Sequence, residues 1–297
     1  MVRSPATLPR PSGSWRRRYT AGQCAILLIL GVLFVVGAYP FFYVLSLAVM
    51  PYSQYVRQAI HAWPSGFSLT YFQEILSDPR LATALRISLL KTVVGATLNV
   101  VATTMAAYAL SRPHLKFRRF LTFIFLVPLF VGGGLIPYFL VIRTLGLLNT
   151  FWALILPGLV GSFYLFMARA TLINYPQEVI EAAHVDGAGH FSIFWRIVWP
   201  TSIPLISTLA LLYGIGHWNE YFWSSFLVQP DLYPAPVVLY NLITSQSMLA
   251  TVGVGQQMAP QSYLAAMAAI MIIPVLVIYP FLQRYLVQGL MIGSLKG

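Results

Sequence analysis

The sequence predicts an all-α polytopic membrane protein with six transmembrane helices, and three observations lead there. Of its 297 residues 58% are hydrophobic and only 8% charged, where a soluble domain carries about a quarter charged, so a soluble globular fold and disorder are both excluded. Six stretches reach the roughly 20 apolar residues that a helix needs to cross a bilayer. The basic residues fall mostly between those stretches, where a membrane protein keeps them.

The first stretch, Ala25 to Met50, follows Arg16, Arg17 and Arg18 but is too long for the apolar part of a signal peptide, and is read as an uncleaved span. The second is Thr92 to Leu110. The third, Phe120 to Ile142, holds Pro128, Gly132 to Gly134 and Pro137, and the sixth, Ser262 to Leu282, holds Pro274 and Pro280. Each such proline removes a helix hydrogen bond, so kinked or broken helices are expected, with the freed backbone buried in protein or lining a watery cavity. The fourth and fifth spans are Phe151 to Thr171 and Ser202 to Val228.

Orientation follows from the basic flanks. One side holds Arg3, Arg10, Arg16, Arg17, Arg18, Arg112, Lys116, Arg118, Arg119, Arg169, Arg196, Arg284 and Lys296; the other holds Arg57, Arg80, Arg86, Lys91 and Arg143. Both termini are therefore expected in the cytoplasm, with residues 1–24 as an N-terminal segment, 25–287 as the membrane domain and 288–297 as a tail. The net charge of +11 is then a matter of topology in a lipid bilayer and requires no nucleic acid. Pro51 to Leu85, a short loop near Arg143 and Gln229 to Gln261 face outward, while Ile173 to Thr201 faces the cytoplasm.

Catalytic chemistry is not legible. None of Lys91, Lys116 or Lys296 follows a glycine in a phosphate-loop pattern. His61, His114, His184, His190 and His217 never take a zinc spacing, so no metal ligand is expected. Ser162, after Gly161, has no histidine in its own span to serve as a base. The lone cysteine, Cys24, excludes an intrachain disulfide.

The informative stretch lies between the fourth and fifth spans, from Asn174 to Pro204. Pro176 suits a first helical turn, Asn174 or Tyr175 the cap, and Glu178 and Glu181 the positive end of the helix dipole. Ala182 and Ala183 are small enough for close approach of another surface, Gly187 breaks or tightens the turn, and Phe191, Phe194, Trp195 and Ile197 form an apolar stripe. These residues fit equally a helix lying on the bilayer and one that docks a cytoplasmic partner.

The run Glu181, Ala182, Ala183, then Asp186 and Gly187, then Ile197 and Pro200 resembles the EAA loop of the permease subunits of binding-protein-dependent ABC importers, with Trp199 where that family usually has leucine. Gly132 to Gly158, His217 to Trp223 and the tail ending at Gly297 are similar to MalG-like carbohydrate permeases, closest to the branch for larger or acidic oligosaccharides. The resemblance implies a bacterial inner membrane location and a cytoplasmic coupling helix between the fourth and fifth spans. It implies as partners a second permease subunit, two ATPase subunits that bind ATP and magnesium, an extracytoplasmic solute-binding protein and an oligosaccharide substrate; this chain itself binds no cofactor. Glu181, Ala182, Ala183, Asp186, Gly187, Ile197 and Pro200 then form the coupling helix and its return, Gln229 to Gln261 faces the binding protein, and Ser294 to Gly297 reaches toward the ATPases. A permease for a non-sugar solute and a homo-oligomeric channel are the alternatives.

Trp218, Asn219, Glu220, Tyr221 and Trp223 are the candidates for sugar contact, because aromatic faces cover sugar rings while amides and carboxylates pair with hydroxyls. Glu220 lies about 18 residues, or roughly 27 Å, into the fifth span, near the outer surface. It faces an internal cavity if that helix is broken near Gly214 and Gly216, and otherwise bonds to a neighbouring helix.

Overall fold

The computed structural model describes residues 21–55, 57, 66–252 and 261–294, and these are helical throughout, without a strand. Arg3, Arg10, Arg16 to Arg18, His61, Gln256, Gln257 and Lys296, which the sequence reading uses, lie outside the described residues, as do residues 295–297 of the tail. The order is α1 (Ala21–Ala48), α2 (Tyr52–Tyr55), α3 (Thr70–Ser77), α4 (Pro79–Ser111), α5 (Arg118–Phe130), α6 (Leu135–Thr144), α7 (Ser162–Ile173), α8 (Gln177–Val185), α9 (His190–Ile193), α10 (Trp199–Thr201), α11 (Ile203–Asn219), α12 (Phe222–Leu227), α13 (Ala235–Val252) and α14 (Gln261–Ser294).

The central element is α4. It starts where Asp78 accepts the Arg80 N–H at 2.8 Å with Pro79 in the first turn, and it stops before Pro113, whose ring disfavours a helical predecessor. Its 33 residues extend about 50 Å, and α7, α11 and α13 pack along it. The second span thus begins at Pro79 and not at Thr92, and Lys91, assigned by sequence to the outer flank, lies inside the bundle at 1% exposure. A lysine whose charge is met by a carboxylate need not reach water, so the helix continues through it.

The third span is broken as expected, whereas the sixth is not: α14 runs on through Pro274 and Pro280. Val131–Gly134 separates α5 from α6. The fourth span opens in two 3-10 turns, Phe151–Leu154 and Leu156–Gly158, and bends by 49° into α7. Before the fifth span, His190–Thr201, which includes the π turn Phe194–Val198, meets α11 at 83°. Among the described residues α1, α4 and the first part of α14 are each long and apolar enough to cross a membrane, and the two bent pairs bring the count to five.

Buried side chains gather along α4 in separate clusters. One joins its C-terminal half to α7, α8, α9 and α11, another joins its N-terminal end to α1, α3 and α14. By contrast α1 is exposed along Ile26 to Val36 and packs on α14 near its end, where Leu47 and Ala48 are buried. An apolar helix bare on all sides needs lipid or another subunit around it.

Polar groups tie α4 to its neighbours. Tyr213 shares a 2.6 Å hydrogen bond with Thr103 and accepts the Gly161 N–H at 3.0 Å, while the Asn99 amide donates to the Gly158 carbonyl at 2.7 Å. The closest approach of α11 is at Gly95, where a Cβ would stand 2.7 Å from His217 Nε2. Gly95→Ala therefore forces the imidazole aside, and overpacking of this kind costs about 1–3 kcal/mol. Thermal unfolding in detergent should show a lowered midpoint for Gly95→Ala and none for Gly31→Ala, where an added Cβ meets nothing within 4 Å.

Candidate functional site

Two sites emerge, one on each side of the long α11. The first is a cavity of about 260 Å³ bounded by α4, α6, the 3-10 turns, α11 and α12. At its wall α11 ends at Asn219, and Glu220, in extended backbone, starts the short α12. The Glu220 carboxylate accepts the N–H of Trp223 at 2.6 Å and of Ser224 at 3.4 Å, so an anion sits at the positive end of α12. The other oxygen takes the Lys91 ammonium at 2.6 Å and the Ser224 hydroxyl at 2.6 Å. Lys91 also donates to Ser224 Oγ at 2.8 Å and to the Glu220 carbonyl at 3.3 Å, which occupies its three N–H donors.

The fifth span is not broken near Gly214 and Gly216, since α11 runs through both; the helix ends later, at Asn219. Glu220 consequently does both things foreseen for it as alternatives, bonding to the neighbouring α4 and lining a cavity. Of the five residues proposed for sugar contact, Glu220 and Trp223 line this cavity, Trp223 with its ring 4.3 Å from that of Tyr138. Trp218 turns the other way, buried with its indole N–H on the Met271 carbonyl at 2.9 Å, because its register on α11 faces α14. Asn219 is exposed and donates back to the Ile215 carbonyl, and Tyr221 stacks on Tyr240 at 4.8 Å.

Sequence reasoning missed Lys91, Asn99, Tyr138, His217 and Ser224, all of which line the cavity. His217 Nε2 lies 3.2 Å from the Asn99 amide oxygen. One signal was available: Lys91 and Glu220 are opposite charges beside apolar runs, and such charges pair.

The second site is the segment between α7 and α11. The α8 helix begins slightly later than the sequence indicates, at Gln177 with Pro176 as its cap in place of Asn174 or Tyr175, and with Glu178 in its first turn as read. Ile180 and Ala183 are buried against the bundle, whereas Glu181 and Ala182 are exposed, as are Val179 at 42% and Val185 at 88%. The two alanines thus split, Ala183 packing on its own subunit and Ala182 facing outward. Gly187, at φ 81, ends the helix: its N–H bonds to the His184 carbonyl at 3.0 Å and that of Ala188 to Ala183 at 2.9 Å. This is the paired C-terminal closure that requires a left-handed residue, with Asp186 as the last cap.

The return is packed by aromatics. Trp199 lies half-buried with its ring 5.0 Å from Trp195 and 5.7 Å from Phe194, so the bulky residue at this position is accommodated by its own chain. Ile197 is partly buried in the same cluster, and Pro200 is exposed in α10 just before the bend. Tyr175 and Thr201, at the two ends of the segment, share a 2.9 Å hydrogen bond.

A bundle of apolar, membrane-spanning helices around an internal cavity, with a short helix packed on it through Ile180 and Ala183 and exposed on its other face, fits the membrane component of a transporter. The chain belongs to the family of binding-protein-dependent transport system inner membrane components, which it matches over residues 82–292, a range that holds both sites. It is 32% identical over 275 residues to protein LplC of Bacillus subtilis (strain 168), covering 91% of this chain and 93% of LplC. It is also 32% identical over 263 residues to the polygalacturonan/rhamnogalacturonan transport system permease protein YtcP of the same organism, covering 87% and 92%. Among solved structures, one chain of a bacterial ABC transporter involved in the import of the acidic polysaccharide alginate superposes with a TM-score of 0.81 at 25% identity, covering 90% of this chain and 98% of that one.

The ion pair makes an asymmetric demand. Lys91→Met leaves Glu220 facing the bundle without its cation, and breaking a buried pair from one side costs about 3–5 kcal/mol, toward the lower end here because Glu220 is 28% exposed. Lys91→Met combined with Glu220→Gln should recover most of that loss in detergent unfolding. Equal destabilisation by the single and double changes would show that the two groups do not stabilise the fold as a pair.

Proposed function

We propose that this chain is one of two permease subunits of an ATP-driven importer for an oligosaccharide delivered by an extracytoplasmic solute-binding protein. The observation that carries the reading is the exposed Glu181–Ala182 face of α8, closed by Gly187 in its left-handed turn and left uncovered by the bundle that buries Ile180 and Ala183, in a chain of this family. In this reading residues 173–201 are cytoplasmic, both termini share that side, and 229–261 face the binding protein. Two partner ATPase subunits bind ATP and magnesium and receive α8 in their surface grooves, with Asp186, Gly187, Ile197 and Pro200 shaping the helix end and its return. Closure of the ATPases moves α8, and with it the bundle, as a rigid body.

The substrate class rests on the named relatives, a polygalacturonan/rhamnogalacturonan transport system permease protein and a transporter involved in the import of the acidic polysaccharide alginate. The cavity suits a sugar through aromatic cover from Tyr138 and Trp223 and polar contact from Asn99 and His217, the Glu220 oxygens being taken by Lys91, Trp223 and Ser224. Since the Lys91 donors are already taken, this cavity meets hydroxyl groups and not sugar carboxylates.

Gly187→Asp tests the coupling role. A side chain at φ 81 costs about 1–2 kcal/mol and adds charge at the docking end, so the ATPase should dissociate on purification or hydrolyse ATP without uptake. Normal uptake with normal co-purification would remove α8 from that role. For the substrate, cells carrying the intact transporter should accumulate oligogalacturonate or alginate fragments in an ATP-dependent manner. Competition by a non-sugar solute for the partner binding protein would redirect the assignment.

A further inference from the structure

The flank of α8 opposite Ala182 borders a second, larger cavity of about 700 Å³. Gln177, Ile180, Glu181 and His184 of α8 form one wall, spaced as one stripe of the helix, and the end of α4 with the turn Pro113 to Lys116 forms the other. Its charge is one-sided. Among the described residues the lining carries the cations of Arg112 and Lys116 against the single carboxylate of Glu181, with the imidazoles of His114, His184 and His190 as further hydrogen-bonding groups.

Arg112 is the buried member, at 8% exposure. Its guanidinium donates to Ser111 Oγ at 2.8 Å, to the Leu172 carbonyl at 2.9 Å and to Gln177 Oε1 at 3.3 Å, and stands 5.0 Å over the Tyr108 ring. These partners are neutral, so a buried cation is solvated by dipoles without a counter-charge, an arrangement that an anion would relieve. The His184 and His190 rings lie 4.6 Å apart, and His190 is held below its ordinary range by burial first and then by His184 and Arg112. The pocket therefore already resists further positive charge.

What kind of anion fits follows from the rest of the lining. Met105, Leu115, Phe191 and Phe194 make much of the wall apolar, and the volume lies in the 300–1,000 Å³ range of sites for organic molecules, larger than a bare inorganic ion requires. The cations also adjoin an apolar surface. Lys116 is followed by Phe117, 80% exposed at φ 58, and then by the outward rings of Phe120 and Phe123 on α5, while Phe191 of the lining is 68% exposed. Basic groups beside exposed aromatic rings at the end of membrane helices match an amphiphile with an anionic head.

We propose that this pocket binds an anionic phospholipid, with its phosphate at Arg112, Lys116 and His190 and the start of an acyl chain along Leu115 and Phe191. The lipid then braces α8 against the end of α4, to which Arg112 already ties it through Gln177. Any effect on transport rests on the coupling role given to α8 above; the binding does not.

Native mass spectrometry of the purified full chain, together with whatever partners stay attached, tests it with phosphatidylglycerol, phosphatidylcholine and inorganic phosphate as separate probes. One phosphatidylglycerol should bind saturably, about tenfold more tightly than phosphatidylcholine, and Lys116→Gln with His190→Gln should weaken it by about tenfold. Both residues are exposed, so the variant should fold, and Arg119→Gln, an exposed cation outside the pocket, should bind as the wild type does. Equal binding of the two lipids, or unchanged binding by the double variant, would overturn the proposal. Displacement by millimolar phosphate would make this a free-anion site, and loss of the lipid site whenever an ATPase is attached would assign the pocket to an acidic side chain of that partner; either result also overturns it. Because the readout is mass and not uptake, it stands or falls apart from the transport reading.

Discussion

A single buried ion pair, Lys91 on α4 with Glu220 between α11 and α12, explains more of this architecture than any other contact. It lets α4 carry a lysine through the bundle without interruption. It also holds the carboxylate at the point where α11 stops, so that the same group caps α12 and turns the chain across the top of the cavity. Removing two charges from water is costly, and the geometry answers with Ser224, two backbone N–H groups and a carbonyl around the pair. The polar ladder of Asn99, Thr103 and Tyr213 continues from that point along the same face of α4.

The segment between α7 and α11 obeys a different constraint. Its helix is short and the bundle covers only one face of it, so its position also depends on anchors at both ends: Tyr175 to Thr201 across the base, the Gly187 closure at the far end, and Arg112 reaching from α4 to the end of α7 and the start of α8. Ile180 and Ala183 pack in the same cluster as Val100 and Tyr108 of α4, so the covered face of α8 rests directly on the central helix of the bundle.

The surrounding solvent sets the remaining features. Helices broken at Val131–Gly134, at the 3-10 turns and at Glu220 leave backbone groups that hydrocarbon cannot solvate, and the Asn99 amide and Tyr213 hydroxyl satisfy some of them from inside the protein. Outward, α1 and α5 present bare apolar side chains, the arrangement that lipid or a neighbouring subunit completes.

The sequence by itself determined the class of the protein, because long uncharged runs have one stable home, and it determined the α8 segment, because Pro176, Gly187 and the residues between them act through local backbone preferences. The break at Gly132 to Gly134 was legible for the same reason, but Pro274 and Pro280 of α14 and Gly214 and Gly216 of α11 lie within continuous helix, where packing overrides the local preference. Tertiary structure alone decided the rest. Lys91 reads as a flanking charge until a carboxylate from a distant part of the chain meets it, and Trp218 reads as a pathway residue until helix register turns it toward Met271. Ala182 and Ala183 are neighbours of identical chemistry, separated into an exposed and a buried residue only by the face of α8 that the bundle covers. Burial and pairing depend on contacts between residues far apart in the chain, and no local pattern encodes which partner a charge or a ring will find.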